Sequence, residues 1–402
     1  MTITLVWSQF HRTGKGSEML KTSLHPQYMT LSLWIRRFRL VSGLVIFAFI
    51  ADHLANLSLS LWSPDTAEDW RPILMGGWTN PVGQTALALA ALVHSGLGFY
   101  TIAVRRTLTM RIRDAVQIGL GLAVPPLLVN HAVSSIMVWR LVEDFNLNYQ
   151  FVLSSFWIFH PLLAYQQLAL LVIVWLHGVI GLYSWMVLHA WWRKVGGPIL
   201  VALLAVPVLA ILGFVQAGNV LLDRYAHDDA FKAAMDHSAA QALSVTAQLG
   251  SIQAKVLIVY GICTAIAIGI FLVRLMLNRR EIAYVKYEDD RKVSGRRGLT
   301  ILEVSQANRV PHANICHGRG RCGTCRVQIL AGQKCLSSPD KAELLTLQAV
   351  HAPAGARLAC QAKVIGAWVK VVRLVPVYAD ASAAQAPEEW VTNPIPAEEV
   401  MQ

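Results

Sequence analysis

Six long apolar runs restrict the fold of this chain more than any other feature of its sequence. They lie at 40–61, 82–104, 115–139, 162–190, 198–216 and 251–277. A helix needs about 20 residues to cross a hydrocarbon core of about 30 Å, and the runs are of that order. The chain is 55% apolar and only 15% charged, which excludes an ordinary soluble protein of 402 residues. We therefore predict an all-α bundle of six transmembrane helices.

The basic residues predict the orientation of these helices. Arginines precede the first run, and basic residues fill the second and fourth connections, which places those connections in the cytoplasm. An even number of helices then leaves both termini in the cytoplasm. The net charge is +11, but the cations cluster beside apolar runs, so no nucleic-acid partner is expected. The fifth connection, 219–250, fits either a short amphipathic helix or a plain loop.

A smaller domain of mixed α and β structure is predicted after residue 277, where the hydropathy falls. Its patterns predict strands at 283–288, 291–294, 326–330, 358–364 and 368–374, and helices at 300–308 and 339–347. The chain then divides into four parts. These are a cytoplasmic N-terminal segment (1–32), the transmembrane domain (33–278), the α+β domain (279–377) and a flexible tail (378–402).

Four cysteines have the spacing of an iron–sulfur site. Cys316, Cys322 and Cys325 lie within ten residues of one another, and Cys360 follows after 34 intervening residues. Iron in a sulfide cluster prefers thiolates, and a tight loop can supply three while a distant strand supplies the fourth. The alternative is zinc on the same four thiolates, although zinc sites usually pair two short Cys-x2-Cys hooks. The pattern favours a cluster.

Glycine and basic residues fill the loop between these cysteines. A backbone that wraps a cluster needs unusual torsion angles and close approach of its N–H groups to sulfur, which glycine permits. We therefore assign three glycines to the backbone of the cluster site: Gly318, Gly320 and Gly323. Positive charge in the loop favours the reduced cluster and raises its potential. That charge comes from His317, Arg319, Arg321 and Arg326.

Each of the first four apolar runs contains a histidine well inside it: His53, His94, His131 and His177. Ionisable residues are costly in a bilayer, so each is a functional candidate. One such histidine is as well explained by hydrogen-bonded packing, whereas four on consecutive helices are better explained by two haem b groups with two imidazoles each. We predict that His53 pairs with His131 and His94 with His177.

Several residues near these motifs are predicted to have supporting roles or no ligand role. Gly98 and Gly181 each follow a histidine by four residues, where a small side chain leaves room for a porphyrin. Cys335 stands outside the cluster pattern and is not predicted to be a ligand. His160 and His189 lie at helix ends and are predicted to be interfacial.

Two resemblances to known families follow from these motifs. Residues 283–376 resemble [2Fe-2S] ferredoxins of the β-grasp fold, and the five-residue gap after Cys316 is similar to the adrenodoxin type. The resemblance includes the segment 357–361 around Cys360, and it implies one [2Fe-2S] cluster on the four cysteines. Residues 33–195 are similar to the dihaem cytochrome b anchors of the succinate dehydrogenase and fumarate reductase superfamily, in which successive helices each give one axial histidine.

The combination is similar to the N-terminal module of membrane-bound bacterial class III adenylate cyclases, which implies a bacterial inner membrane. Only 25 residues follow Val377, too few for a cyclase domain, so no cyclase activity is expected in this sequence. The sequence also contains no P-loop or dinucleotide motif. Its chemistry is therefore expected to be that of the cluster and the haems.

The resulting hypothesis is a membrane-bound electron-transfer or redox-sensing protein that passes electrons between the quinone pool, the haems and a cytoplasmic cluster. One alternative is a redox-sensor subunit that regulates a separate adenylate cyclase. Another is a quinone-linked oxidoreductase with a soluble electron acceptor, and a third is a haem-free anchor that tethers a ferredoxin. The expected partners are the bilayer, a quinone or quinol, a cytoplasmic protein and, as a further candidate, a second copy of the chain.

Overall fold

The computed structural model describes residues 26–277 and 281–387. Residues 1–25 of the predicted N-terminal segment and 388–402 of the predicted tail lie outside the described residues.

All six apolar runs form helices that are long and apolar enough to cross a bilayer. In chain order with the shorter helices between them, they are α1 (Pro26–Ser58), α3 (Pro81–Ala103), α4 (Ile112–Leu141), α6 (Pro161–Met186), α7 (Trp192–His227) and α9 (Thr246–Leu277). Helix α4 runs unbroken through Pro125 and Pro126. The predicted count of six is confirmed, and the chain is a multi-pass membrane protein.

The connections contain more helix than the sequence predicted. Helix α1 begins earlier than its apolar run, at Pro26, and α7 continues to His227. The fifth connection then forms α8 (Asp229–Leu243), so the helical alternative is the one observed there. Two further helices, α2 (Pro64–Thr79) and α5 (Tyr149–Ser154), were not predicted. Each begins at a polar cap, since the side chains of Ser63 and Asn148 accept hydrogen bonds from backbone N–H groups one turn on.

The four histidine-bearing helices form two neighbouring pairs. Helix α1 packs along α3, α4 packs along α6, and α1 also contacts α6. Helix α7 lies against α1, and α9 lies against α3 and α4. The four helices that carry the histidines are therefore close enough to one another for their histidines to face each other across the bundle.

The C-terminal domain is built on a mixed five-stranded sheet. Its strands are β1 (Ile282–Lys286), β2 (Lys292–Arg296), β3 (Arg326–Ala331), β4 (Ala356–Leu358) and β5 (Trp368–Arg373), in the order β2-β1-β5-β3-β4. Strands β1 and β5 are parallel and the other pairs are antiparallel. Helices α10 (Ile301–Ala307) and α11 (Lys341–Ala349) complete the domain. The predicted fold class is confirmed.

A buried ion pair fixes the approach to Cys360. Arg357 donates through Nε and Nη2 to the Glu343 carboxylate at 2.8 and 3.0 Å. The same carboxylate accepts the Leu358 N–H at 2.8 Å, and Glu343 is only 1% exposed. This bidentate ion pair joins α11 to β4 just before Cys360, and it therefore holds that strand in place.

Candidate cluster site and histidine pairs

Strand pairing explains how the distant cysteine reaches the loop. Cys325 immediately precedes β3, and one residue, Ala359, separates the end of β4 from Cys360. Because Arg326 pairs with Leu358 in the antiparallel ladder, the two cysteines emerge side by side. Their Sγ atoms are 3.2 Å apart, and Ala359 N donates to Cys325 O at 3.0 Å.

The four cysteines lie together as two pairs. In the second pair, the Cys316 N–H donates to Cys322 Sγ at 3.3 Å. The exposed fractions of Cys316, Cys322, Cys325 and Cys360 are 1%, 0%, 1% and 7%. Two pairs of buried thiols suit two iron atoms that share four cysteine ligands. Among the described residues, no group of three or more His, Cys, Asp or Glu side chains is arranged to hold a single metal ion.

Hydrogen bonds divide the protons unequally between the thiols. Donation from the Cys322 thiol, together with backbone N–H groups such as that of Arg321, lowers the pKa of Cys316 to about 5. The shared proton and burial raise the pKa of Cys322, and contact with Cys360 and burial raise that of Cys325. Ionisation of the Cys322 and Cys325 thiols is therefore favoured by a bound metal cation, because metal binding releases protons from its ligands.

The three loop glycines all have the left-handed torsion angle that glycine adopts readily. Their φ angles are +80° for Gly318, +63° for Gly320 and +67° for Gly323. A Cβ on Gly320 would also lie 2.8 Å from Gln361 Nε2 and 3.0 Å from Arg36 Nη2. At Gly320, torsion and lack of space thus both favour glycine.

Comparison with known proteins assigns this part of the chain. Residues 286–364 match the 2Fe-2S iron-sulfur cluster binding domain. This region is a [2Fe-2S] ferredoxin domain. Chlorosome protein J of Chlorobaculum tepidum is 30% identical over 79 residues, which are 20% of this chain and 35% of that protein. The chain thus spans about a third of the length of that relative. No solved structure matches the chain significantly.

The four membrane histidines lie in the two pairs named from the sequence. The ring centres of His53 and His131 are 6.0 Å apart, and those of His94 and His177 are 6.2 Å apart. Two imidazoles on opposite sides of one metal ion place their ring centres about 6 Å apart, since metal–nitrogen bonds are about 2 Å long. Imidazoles in direct packing contact reach a similar distance, so haem stays a prediction.

Hydrogen bonding orients the His94 and His177 rings as it does in metal-bound histidines. His177 Nδ1 lies 3.0 Å from the backbone oxygen of Gln117, and His94 Nδ1 lies 3.4 Å from Ser42 Oγ. Histidine ligands usually donate from one ring nitrogen to a carbonyl or similar acceptor, and the other nitrogen binds the metal. Nε2 is therefore the nitrogen of His177 that is left for a ligand. In the other pair, His131 Nδ1 is buried and has no partner in the described part of the chain.

Glycines that the sequence did not single out lie beside these rings. A Cβ on Gly121 would be 2.7 Å from His177 Cε1, and one on Gly43 would be 3.2 Å from His94 Cε1. The two glycines named from the sequence do not lie against these rings, and their role in leaving room for a porphyrin stays a prediction. A Cβ on Gly98 would meet nothing within 4 Å, and one on Gly181 would meet the Gln117 side chain at 3.1 Å. The relevant glycines lie on facing helices because the rings point away from their own helices.

The two histidine pairs lie at different depths. His53 follows Gly43 by ten residues in α1, and His131 follows Gly121 by ten residues in α4. A rise of about 1.5 Å per residue separates the pairs by about 15 Å along the helices. His94 and His177 form the inner pair, which is nearer the arginine-rich ends of α1 and α4.

The cluster loop contacts the membrane helices beside the inner pair. His317 Nε2 lies 3.1 Å from Arg113 Nη1, and Arg319 Nη2 donates to Gln117 Oε1 at 3.3 Å. Because Gln117 also accepts from His177, two hydrogen bonds link the loop to that imidazole. Sequence reasoning assigned the arginines of these helix ends to topology alone and missed this contact.

The opposite side of the cluster loop is also covered. Leu188, in the turn after α6, and Ala384 pack against Cys316 and Cys322. The Gln385 N–H donates to Cys322 O at 3.2 Å. The first residues of the predicted tail thus lie on the cluster loop.

The residues assigned no ligand role have other contacts in the structure. Cys335 ends a short 3-10 turn, Gln333–Cys335. His160 precedes α6, and His189 stacks on Trp191 with ring centres 6.0 Å apart.

Proposed function

We propose that this protein transfers electrons between the quinone pool, two haem b groups and a cytoplasmic [2Fe-2S] cluster. The haems are held by His53 with His131 and by His94 with His177. The observation that carries the proposal is the contact from Arg319 through Gln117 to His177, which joins the cluster loop to the inner histidine pair. The domain order and the ferredoxin match support the same conclusion.

The side chains have distinct roles in this proposal. Cys316 and Cys322 hold one iron, Cys325 and Cys360 hold the other, and the loop glycines bring N–H groups towards sulfur. The cluster and the haems supply one-electron chemistry when they are bound. The protein fixes their positions, excludes water and tunes their potentials. A lipid-soluble quinone or quinol is the exchangeable redox partner that a site within a bilayer favours.

The covered cluster loop bears on the choice of electron acceptor. A soluble acceptor would have to approach thiols that are at most 7% exposed. Leu188 and Ala384 already pack against one pair of them. This supports exchange of electrons with the membrane domain and weighs against a soluble acceptor at this face. It also suits a redox sensor whose output is a change in docking of the ferredoxin domain.

The cyclase partner and the location, a bacterial inner membrane with cytoplasmic termini, remain parts of the proposal.

The test is spectroscopy of the purified, detergent-solubilised protein. We expect pyridine haemochrome analysis to give two b-type haems per chain, and low-temperature EPR of the dithionite-reduced protein to give a rhombic [2Fe-2S] signal. Reduction of both centres by a short-chain quinol would support the quinone link. A cluster signal without haem would refute the dihaem assignment and leave the tethered ferredoxin. Haem that quinol reduces while the cluster stays oxidised would refute the proposed chain.

A further inference from the structure

A group of arginines lies between the ferredoxin loop and the inner histidine pair. Arg36 and Arg39 come from α1, Arg113 from α4 and Arg319 from the cluster loop, and all four are half-buried. Arg39 donates to Thr101 Oγ1 at 2.6 Å, and Arg319 to Gln117 Oε1 at 3.3 Å.

These arginines have little compensating negative charge. In the described residues, none of the four forms an ion pair with a carboxylate. The nearby carboxylate is Asp114, whose Oδ2 lies 3.8 Å from His317 Nδ1. Partly buried cations that repel one another are costly unless an anion joins them, and guanidinium groups match carboxylate or phosphate in geometry.

Helical spacing places these arginines next to the space between His94 and His177. Arg39 precedes Gly43 by four residues in α1, and Gln117 precedes Gly121 by four in α4. Residues four apart share a helix face, about 6 Å apart along the axis. Arg113 lies one further turn out from Gln117 on the same face of α4. In both α1 and α4, polar or cationic side chains therefore lie between the glycine that contacts an imidazole and the ferredoxin domain.

We propose that Arg39, Arg113 and Arg319 bind the two carboxylates of the haem held between His94 and His177. The inference rests on the dihaem function proposed above. It adds that the ferredoxin domain supplies part of a haem site in the membrane domain. Haem b carries both carboxylates on one edge of the porphyrin, and that edge would point to the ferredoxin domain. Occupancy of the inner haem site and docking of the ferredoxin domain are then linked reciprocally.

The test compares Arg319→Gln with Arg326→Gln in the full-length, haem-loaded protein. Arg326 is the matched control because it lies near the same cysteines, yet its Nη1 donates within its own domain to Gly323 O at 3.1 Å. Redox titration of the haem absorption bands should show one haem shifted to lower potential in Arg319→Gln, because a cation beside it favours the reduced form. The other haem should not move, Arg326→Gln should leave both haems unchanged, and Arg319→Lys should restore part of the shift.

Three results would overturn the proposal, and they are distinguishable. Unchanged haem potentials in Arg319→Gln, with loss of bound phospholipid phosphorus, would identify a lipid phosphate as the anion. Equal shifts in the two variants would show a general effect of charge. Absence of haem from the wild-type protein would refute the proposed function itself. If Arg319→Gln loses its cluster signal, Arg39→Gln is the second variant, since it changes the membrane domain alone and should shift the same haem.

Discussion

The proposed dihaem function predicts that Gly121→Ala removes the haem between His94 and His177, while Gly119→Ala leaves it in place. A Cβ on Gly121 would lie 2.7 Å from His177 Cε1, whereas carbon atoms in contact are normally about 3.5 Å apart. The ring must therefore move by about 0.8 Å, and metal–ligand distances tolerate only about 0.2 Å. The hydrogen bond from His177 Nδ1 to Gln117 O, at 3.0 Å, holds the ring where the clash occurs.

The control isolates this clash from the helix itself. Gly119 lies two residues earlier in α4, and a Cβ there would meet nothing within 4 Å. Both substitutions gain about 1 kcal/mol of helix propensity, so that term cancels between them. Gly43→Ala should have an intermediate effect, because its Cβ would lie 3.2 Å from His94 Cε1 and the shortfall is smaller.

The assay is haem content per chain by pyridine haemochrome, with redox titration to identify which haem is lost. We expect two haems per chain in Gly119→Ala, about one in Gly121→Ala, and weakened binding in Gly43→Ala. Two low-spin haems of unchanged potential in Gly121→Ala would refute the placement of a haem iron on His177. Equal haem loss in Gly119→Ala and Gly121→Ala would point to a defect of the helix instead.

Three further predictions concern the ferredoxin domain and the other end of the membrane domain. Cys325→Ser should abolish the [2Fe-2S] EPR signal while Cys335→Ser keeps it, and loss of signal in both variants would contradict the ligand assignment. Glu343→Ala should destabilise the ferredoxin domain by about 3–5 kcal/mol, because it leaves the Arg357 cation buried and unpaired. Glu281→Ala breaks the exposed ion pair with Arg297 and should cost less than about 1 kcal/mol. Denaturant titration, with unfolding monitored by the loss of visible cluster absorbance, compares the stabilities of the two variants. Equal losses of stability would refute the argument. Burial raises the pKa of Tyr149 to about 12, so its neutral form contributes stability that is complete below about pH 10 and lost as the pH rises through 12. A pH titration of tyrosinate absorbance in the wild type and in Tyr149→Phe measures this ionisation, since the difference between the two curves reports Tyr149 alone. We expect the difference to appear near pH 12, and ionisation near pH 10 would show that the hydroxyl is exposed.

Local patterns in the sequence were sufficient for most elements of the fold, although the strand predicted at 358–364 is observed as Ala356–Leu358. Six helices follow from apolar length, because a bilayer leaves a chain few other ways to satisfy its backbone polar groups. The strands β1 and β3 and the helix α10 follow from the spacing of apolar side chains. The structure adds that Thr300 and Glu303 form a capping box at the start of α10. The helix α5 escaped prediction because it has only 6 residues. The helix α2 escaped because Pro72, Gly76 and Gly77 disfavour a helix in its sequence.

The residues of the candidate site could be named from the sequence, whereas the contacts between them could not. The sequence by itself determined which cysteines and histidines are candidates, because spacing and depth in an apolar run are local properties that reflect ligand chemistry. Only the tertiary structure decided that Gly43 and Gly121, and not Gly98, lie beside the imidazoles. It also decided that Arg319 and Gln117 join the cluster loop to His177. Those contacts connect residues up to about two hundred positions apart. They depend on how helices rotate against one another and where the ferredoxin domain docks, which packing of the whole chain sets and no local pattern records.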